Sequence, residues 1–453
     1  MSDDALHAAE EKMRDAGVAD AAIATFAHYH RRLQEGATGL LREDEIEPID
    51  DLPALEDLDP GDAPLDQAVV IKLNGGLGTS MGMQQAKSLL EVKDGQTFLD
   101  VIARQVLALR EAEGVRLPLV LMDSFSTQEA SLAALRAHEG IEVDGVPLDF
   151  VQNKEPKLRP DDLYPVEWPD DPDLEWCPPG HGDLYTALLT SGILERLLGA
   201  GFRYAFVSNS DNLGAVLEPR VLAWVAADAI PFLAESCERT EADRKGGHLA
   251  IRKSDGRLVL RETAQTADED LDAFQDVSRH RYFNCNNLWL DLQALDSVLR
   301  EQEGVLGLPL IRNEKTVDPA DKDTPPVIQI ETAMGAAISV FEGARALLVP
   351  RERFVPVKTT NDLLVLRSDV YVVQHGGRVV AQSRPPLVEL ASGPYKLVDD
   401  FEQRFPSGPP SLREAERLAV DGDWTFGREV VVKGAVTLGH EGGRVDDGAV
   451  LEG

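Results

Sequence analysis

The sequence predicts an α/β protein: a mixed, mostly parallel sheet with a helical segment before it and a small β domain after it. Three observations carry that prediction. Short apolar, β-branched runs alternate with helically periodic stretches through the middle of the chain. Near the N-terminus, Ile23, Phe26, Tyr29 and Leu33 recur at three- to four-residue spacing with no proline between them. Past about residue 380 the texture changes, and Gly434-Ala435-Val436 is echoed by Gly448-Ala449-Val450, a pattern of β-solenoid coils.

Taken in order, residues 3–35 read as helix. Residues 43–66 carry eleven acids, no base and the prolines Pro48, Pro53, Pro60 and Pro64, the composition of an extended acidic connector. At Ala68 the pattern switches to Ala68-Val69-Val70-Ile71-Lys72-Leu73, as a buried parallel strand should look. Residues 117–122, 203–207 and 346–349 are expected as further strands, and 98–112, 184–198 and 331–341 as helices. The chain is thus expected to divide into an N-terminal helical segment with its connector (1–65), a central α/β domain (66–375) and a small C-terminal β domain (376–453). In such sheets ligands bind beyond the carboxyl ends of the strands.

Lys and Arg number 45 against 79 Asp and Glu, a net charge of −34. A surface this negative repels nucleic acid and anionic lipid, and no stretch is basic enough to reverse that locally, so neither is expected as a partner. No run of about 18 apolar residues is present, and Met1-Ser2-Asp3-Asp4 does not open a basic-then-apolar leader, so a soluble, cytoplasmic protein is expected. Cys177, Cys237 and Cys285 are too few and too dispersed for a disulfide framework or a zinc cluster. Lysines number thirteen, and six of them, Lys72, Lys87, Lys154, Lys157, Lys245 and Lys358, fall in the segments that carry the chemistry below, as if reserved for a ligand.

After Leu73 comes Asn74-Gly75-Gly76-Leu77-Gly78-Thr79-Ser80-Met81-Gly82, and five residues later Lys87. Glycines let backbone amides approach a phosphate closely, so a phosphate-cradling loop is the natural reading. It is neither of two familiar ones. The dinucleotide fingerprint needs glycine at relative positions 1, 3 and 6, whereas Gly76, Gly78 and Gly82 stand at 1, 3 and 7. A Walker loop needs glycine directly before Lys-Ser, where this chain has Ala86.

The loop with Lys87 resembles the nucleotide-binding signature of the eukaryotic-type UTP–glucose-1-phosphate uridylyltransferases, or UDP-glucose pyrophosphorylases. Further segments agree in the same order: Gln152-Asn153-Lys154 with Pro156; Trp176 through Asp183; Ser208 through Asn212; Lys245-Gly246-Gly247; Phe283 through Asn287; and Pro356 through Leu363. The resemblance covers about residues 65–370 and weakens beyond. It implies a nucleotidyltransferase (GT-A, Rossmann-like) fold with a left-handed β-helix-like C-terminal domain. The implied reaction is attack by the phosphate of glucose 1-phosphate on the α-phosphorus of UTP, expelling pyrophosphate.

That nucleophile is already an anion, so no general base is needed, which fits the absence of a Ser-His-Asp or Cys-His arrangement. The transfer needs alignment of two repelling anions and neutralisation of phosphate charge. By resemblance, Lys87 and Lys358 are the catalytic cations. Leu73, Asn74, Gly75, Gly76, Gly78, Thr79, Gln152 and Gly180 bind the nucleotide, Gln152 and Gly180 forming the edge that reads the uracil. His181, Asn209, Gly247 and Asn286 meet the sugar phosphate, and Asp211 holds Mg2+, which commonly takes one or two carboxylates plus substrate phosphates. From the residues alone, Asn209-Ser210-Asp211-Asn212 reads equally as a turn and His181 as structural. Asp183 is placed to cap the helix that follows.

Gln85 and Ala86 stand where many family members have Gly-Pro, Cys177 replaces a more usual aromatic, and relatives continue into further coils beyond Gly453. A monomer or small homo-oligomer is expected. The alternative is a UDP-N-acetylglucosamine or broad-specificity UDP-sugar pyrophosphorylase. Those typically place arginine directly after the loop threonine, whereas Ser80 follows Thr79 here, which favours the glucose enzyme. The acidity reads as a solubility or salt-adaptation feature rather than part of the site.

Overall fold

The computed structural model describes residues 3–453. Its centre is a ten-stranded mixed sheet. Strand Ala68–Leu73, apolar because both its faces are covered, lies parallel to Leu119–Asp123 on one side and to Tyr204–Asn209 on the other, and Asp149–Val151 extends the parallel half. The long strand Tyr282–Asp291 joins antiparallel to Tyr204–Asn209 and carries the second half of the sheet through Phe232–Glu238, itself parallel to Arg345–Leu348. Leu73 and Asn209 are register partners, so two site-bearing loops leave the sheet side by side. The ends at Asp123 and Val151 are paired next to them.

The expected strands and the helix at Phe98–Glu113 are present within one or two residues at each end. Thr97 caps that helix through the Asp100 N–H, and Gly114 closes it in the left-handed conformation. Two other expected helices are broken. The N-terminal segment is a hairpin of Asp3–Asp15 and Asp20–Gln34, turned at Gly17 (φ +72°). Residues 184–198 fall into Leu184–Thr190 and Ile193–Gly199 around Gly192 (φ +72°). In both, periodicity continues across the turn because both pieces bury the same kind of face.

Residues 331–341 are not an α-helix. Strand Pro326–Glu331 is followed by 3-10 turns over Met334–Ser339 that are buried throughout, and a run buried all round carries no period to read. The acidic connector is also more than a spacer. Ile46–Glu47 adds an edge strand to the sheet, Ile49, Leu52, Leu55 and Leu65 are buried, and the Glu43 carboxylate meets buried Arg261 at 2.6 Å and His280 at 3.0 Å.

At the C-terminus, Leu387–Leu390, Ser411–Val420, Val431–Leu438 and Val450–Glu452 stack as parallel coils, with Trp424–Phe426 parallel to Gly443–Val445. The coil step is not the fourteen-residue echo of the sequence: Val431 pairs with Val450 and Trp424 with Gly443, nineteen residues on. No helix among the described residues is long and apolar enough to cross a membrane.

Candidate active site

The glycine loop is folded by its own backbone. Asn74 ties its start to the sheet, its N–H donating to Met122 O at 2.7 Å and its side chain to Asp123 and Ser131. Gly78 (φ +66°) and Gly82 (φ +78°) make the turns that side chains resist. The Lys87 N–H then donates to Gly76 O at 3.0 Å, so the loop closes on itself and returns Lys87 to the strand ends, whatever stands at Gln85 and Ala86. There the Lys87 ammonium meets the Asp211 carboxylate at 2.7 Å. A Cβ on Gly75 would lie 2.9 Å from the Gln152 side chain, which seats Gln152 against the loop. Thr79 opens the short turn between the two left-handed glycines.

Asp211 leaves the end of strand Tyr204–Asn209, and its carbonyl accepts the Val357 N–H at 3.2 Å, which sets Lys358 one residue away from that bond. The segment is seated by a buried network. Asn212 accepts from the Val355 N–H at 2.8 Å and donates to Arg353 O and to Asn287, while Asn287 and Arg353 both bond Glu235. Lys358 is exposed, and its field opposes the rise that burial imposes on the Glu262 carboxyl.

Opposite, Pro179 to Gly182 is pinned on Thr332: the Gly182 N–H donates to Thr332 O at 2.8 Å and the Thr332 N–H to Pro179 O at 3.0 Å. Gly180 sits at φ +78°, where a Cβ would come within 2.7 Å of Thr332 O, so glycine is required. His181 Nδ1 accepts the Met334 N–H at 3.0 Å, leaving Nε2 as the ring's donor. Burial lowers the pKa of His181, although the residue as a whole retains an exposed surface.

Asn286 is lifted from its strand by a bulge. The register between Phe232–Glu238 and Tyr282–Asp291 slips after Glu235, Asn286 adopts φ +55°, and Asn284 and Asn286 bond each other at 2.8 and 3.1 Å. The Gly247 carbonyl accepts the Asn284 N–H at 3.0 Å, and a Cβ on Gly247 would lie 2.4 Å from the Glu262 carboxylate. Asn209 ends its strand beside Leu73.

Several readings of single residues change. Asp183 does not cap the following helix; its carboxylate is taken by Asn153 at 2.6 and 2.8 Å. The Asn74 side chain faces the fold and its N–H is taken by Met122 O, so of its backbone only the carbonyl remains for a ligand. Lys72 and Lys157 are buried and used inside, on Ser208 and Ala215 O and on Val317 O, and burial brings Lys72 down to about 7. Lys154 stacks on Trp176 at 4.4 Å. Glu262 is the residue that the sequence reading missed: its glutamate lies in an ordinary Arg-Glu-Thr run, and only the fold puts it against Gly247.

Known proteins resemble the chain over most of its length. The family model for UTP–glucose-1-phosphate uridylyltransferase matches residues 23–433. Over 420 residues the chain is 40% identical to the UTP–glucose-1-phosphate uridylyltransferase of Hordeum vulgare, covering 90% of this chain and 86% of that one. A probable enzyme of the same name from Schizosaccharomyces pombe is 40% identical over 396 residues, 86% of this chain and 76% of the other. Among solved structures, a mutant of Leishmania major UDP-glucose pyrophosphorylase in complex with UDP-glucose superposes with a TM-score of 0.94 at 45% identity, covering 100% of this chain and 99% of that one. With the glycine loop, Lys87 and Asp211 meeting at the sheet's carboxyl edge, the chain belongs to the UTP–glucose-1-phosphate uridylyltransferase family.

Proposed function

We propose that the chain transfers a uridylyl group from UTP to glucose 1-phosphate, forming UDP-glucose and pyrophosphate. The observation that carries this reading is the Lys87–Asp211 contact at 2.7 Å, with Lys358 held one residue beyond the Val357–Asp211 backbone bond. A phosphate oxygen of glucose 1-phosphate attacks the α-phosphorus; a P–O bond forms to it and the bond to the β-phosphate bridging oxygen breaks. The lysines neutralise the two anions and hold them in line. At about 4 Å and an effective dielectric near 20, each ammonium contributes on the order of 4 kcal/mol before desolvation.

Asp211 suits a magnesium ion carried mainly by substrate phosphates and water. It is a single, partly exposed carboxylate, and no group of three metal-binding side chains is found among the described residues. When bound, the ion supplies further charge neutralisation at the phosphates. Gln152 and Gly180 face the uracil, and His181, neutral with its Nε2–H free to donate, faces the sugar phosphate. Asn286, Asn209, the Gly247 backbone and the Glu262 carboxylate meet the glucose hydroxyls.

Pyrophosphate release from UTP with glucose, galactose and N-acetylglucosamine 1-phosphates tests the substrate. Glucose 1-phosphate is expected to give the highest kcat/KM, and dominance of either other sugar would overturn the reading.

A further inference from the structure

We propose that Asp183 is a positioning residue for recognition of the base: its carboxylate latches the segment bearing Gln152 to the loop bearing Gly180. The inference rests on the reading above, in which those two residues face the uracil. Asp183 stands at the start of helix Leu184–Thr190 yet makes no cap for it. Oδ2 accepts the backbone N–H of Asn153 at 2.6 Å and Oδ1 accepts Asn153 Nδ2 at 2.8 Å. The Asn153 amide is oriented in turn, since its own Oδ1 accepts from Thr190 at 3.2 Å.

On one side of the latch, Gln152 N–H is bonded to Asp123 O at 2.8 Å and its side chain lies against Gly75. On the other, the Asp183 N–H donates to Gly180 O at 3.2 Å and Gly182 rests on Thr332. The two arms are about thirty residues apart in sequence, and the carboxylate spans them directly. Asp183 is 4% exposed, and burial pushes its carboxyl up to about 7, so keeping it there costs stability that a capping residue in solvent would not. A bidentate tie between two chain segments is what that position gains.

The base is remote from the reacting phosphates, so misaligned arms weaken ground-state and transition-state binding alike, which raises KM and spares kcat. They also blur the donor and acceptor match by which uracil is told from cytosine. Asp183→Asn keeps the shape but sets an amide N–H against the Asn153 amide. It is expected to raise the KM for UTP ~tenfold, to lower the preference for UTP over CTP in kcat/KM by a similar factor, and to change kcat less than ~threefold. The double variant Asn153→Asp with Asp183→Asn exchanges donor and acceptor and is expected to recover both quantities.

If Asp183→Asn keeps the wild-type KM and base preference, or loses kcat alone, the latch is overturned. Should that variant not fold, Asn153→Ala is read the same way: a smaller shift in the same direction supports the latch and unchanged preference overturns it. Gln152→Ala separates the two levels. If it lowers the UTP preference and Asp183→Asn does not, the latch alone fails; if it too leaves the preference intact, the assignment of the base-reading edge fails with it.

Discussion

At the proposed phosphate end of the cleft the assigned groups are charged side chains that reach solvent: Lys87 and Asp211 are partly exposed and paired, and Lys358 is exposed. At the proposed base end the surface is backbone, with Gly180 and Gly182 laid on Thr332, and the ionisable groups behind it, Glu155 and Asp183, are buried. Burial pushes both carboxyls up, Asp183 to about 7. The contrast follows from what each end must hold. Phosphate is recognised by charge, which has to stay available to a charged ligand. A planar base is recognised by fixed donors and acceptors, which need a rigid scaffold in which charge is a burden.

The sharpest way to break this comparison is to remove charge at the phosphate end. Lys87→Met is expected to lower kcat by ~10²-fold or more in steady-state pyrophosphate release while the chain still folds cooperatively, because Asp211 keeps some access to solvent once its partner is gone. A Tm that collapsed with kcat would make Lys87 a structural lysine. At the base end the order reverses. Gly180→Ala forces a Cβ to within 2.7 Å of Thr332 O at a left-handed φ and is expected to cost about 1–3 kcal/mol in denaturant unfolding. It should also raise the KM for UTP more than it lowers kcat, and a variant of wild-type stability and KM would contradict the account of that loop.

A third effect, read against pH rather than at one condition, concerns Glu155, whose Oε1 has no hydrogen-bond partner. Burial, then the neighbouring Asp183 and Glu331, holds its carboxyl protonated well above the ordinary 4.5. The folded chain therefore keeps a proton that the unfolded chain releases. Its stabilising contribution is complete below about pH 4.5 and is lost as pH rises towards the folded value. Glu155→Gln cannot lose a proton, so the stability of wild type minus variant is expected to fall with rising pH, by at most about 1.4 kcal/mol per unit. Parallel stability curves from pH 5 to 8 would show that Glu155 is not held neutral.

The same contrast explains what the sequence discloses. The glycine loop is legible because its residues are of telling types in telling places, a strand ending at Leu73 and glycines in a phosphate-loop density, whereas the roles of Lys87, Lys358 and Asp211 are read from resemblance. The parallel half of the sheet is legible for the same reason, since a strand buried on both faces is an unbroken apolar run. Gln152 and Gly180 are named by resemblance, but the contacts that support the site from a distance are hidden. Asp183 reads as a helix cap until the fold brings Asn153 to it, and Glu262 has no local signal because its partner Gly247 is fifteen residues away. The helix breaks at Gly17 and Gly192 are hidden by continuous periodicity on both sides. The coil step of the C-terminal domain is set by pairing across nineteen residues, which a nearby echo of Gly-Ala-Val obscures.

A crystal structure with UTP and magnesium bound tests the central claim most directly. The account predicts the triphosphate along the glycine loop, with the ammonium groups of Lys87 and Lys358 within hydrogen-bond distance of phosphate oxygens and the Asp211 carboxylate on the metal. A triphosphate bound away from these three residues would contradict it.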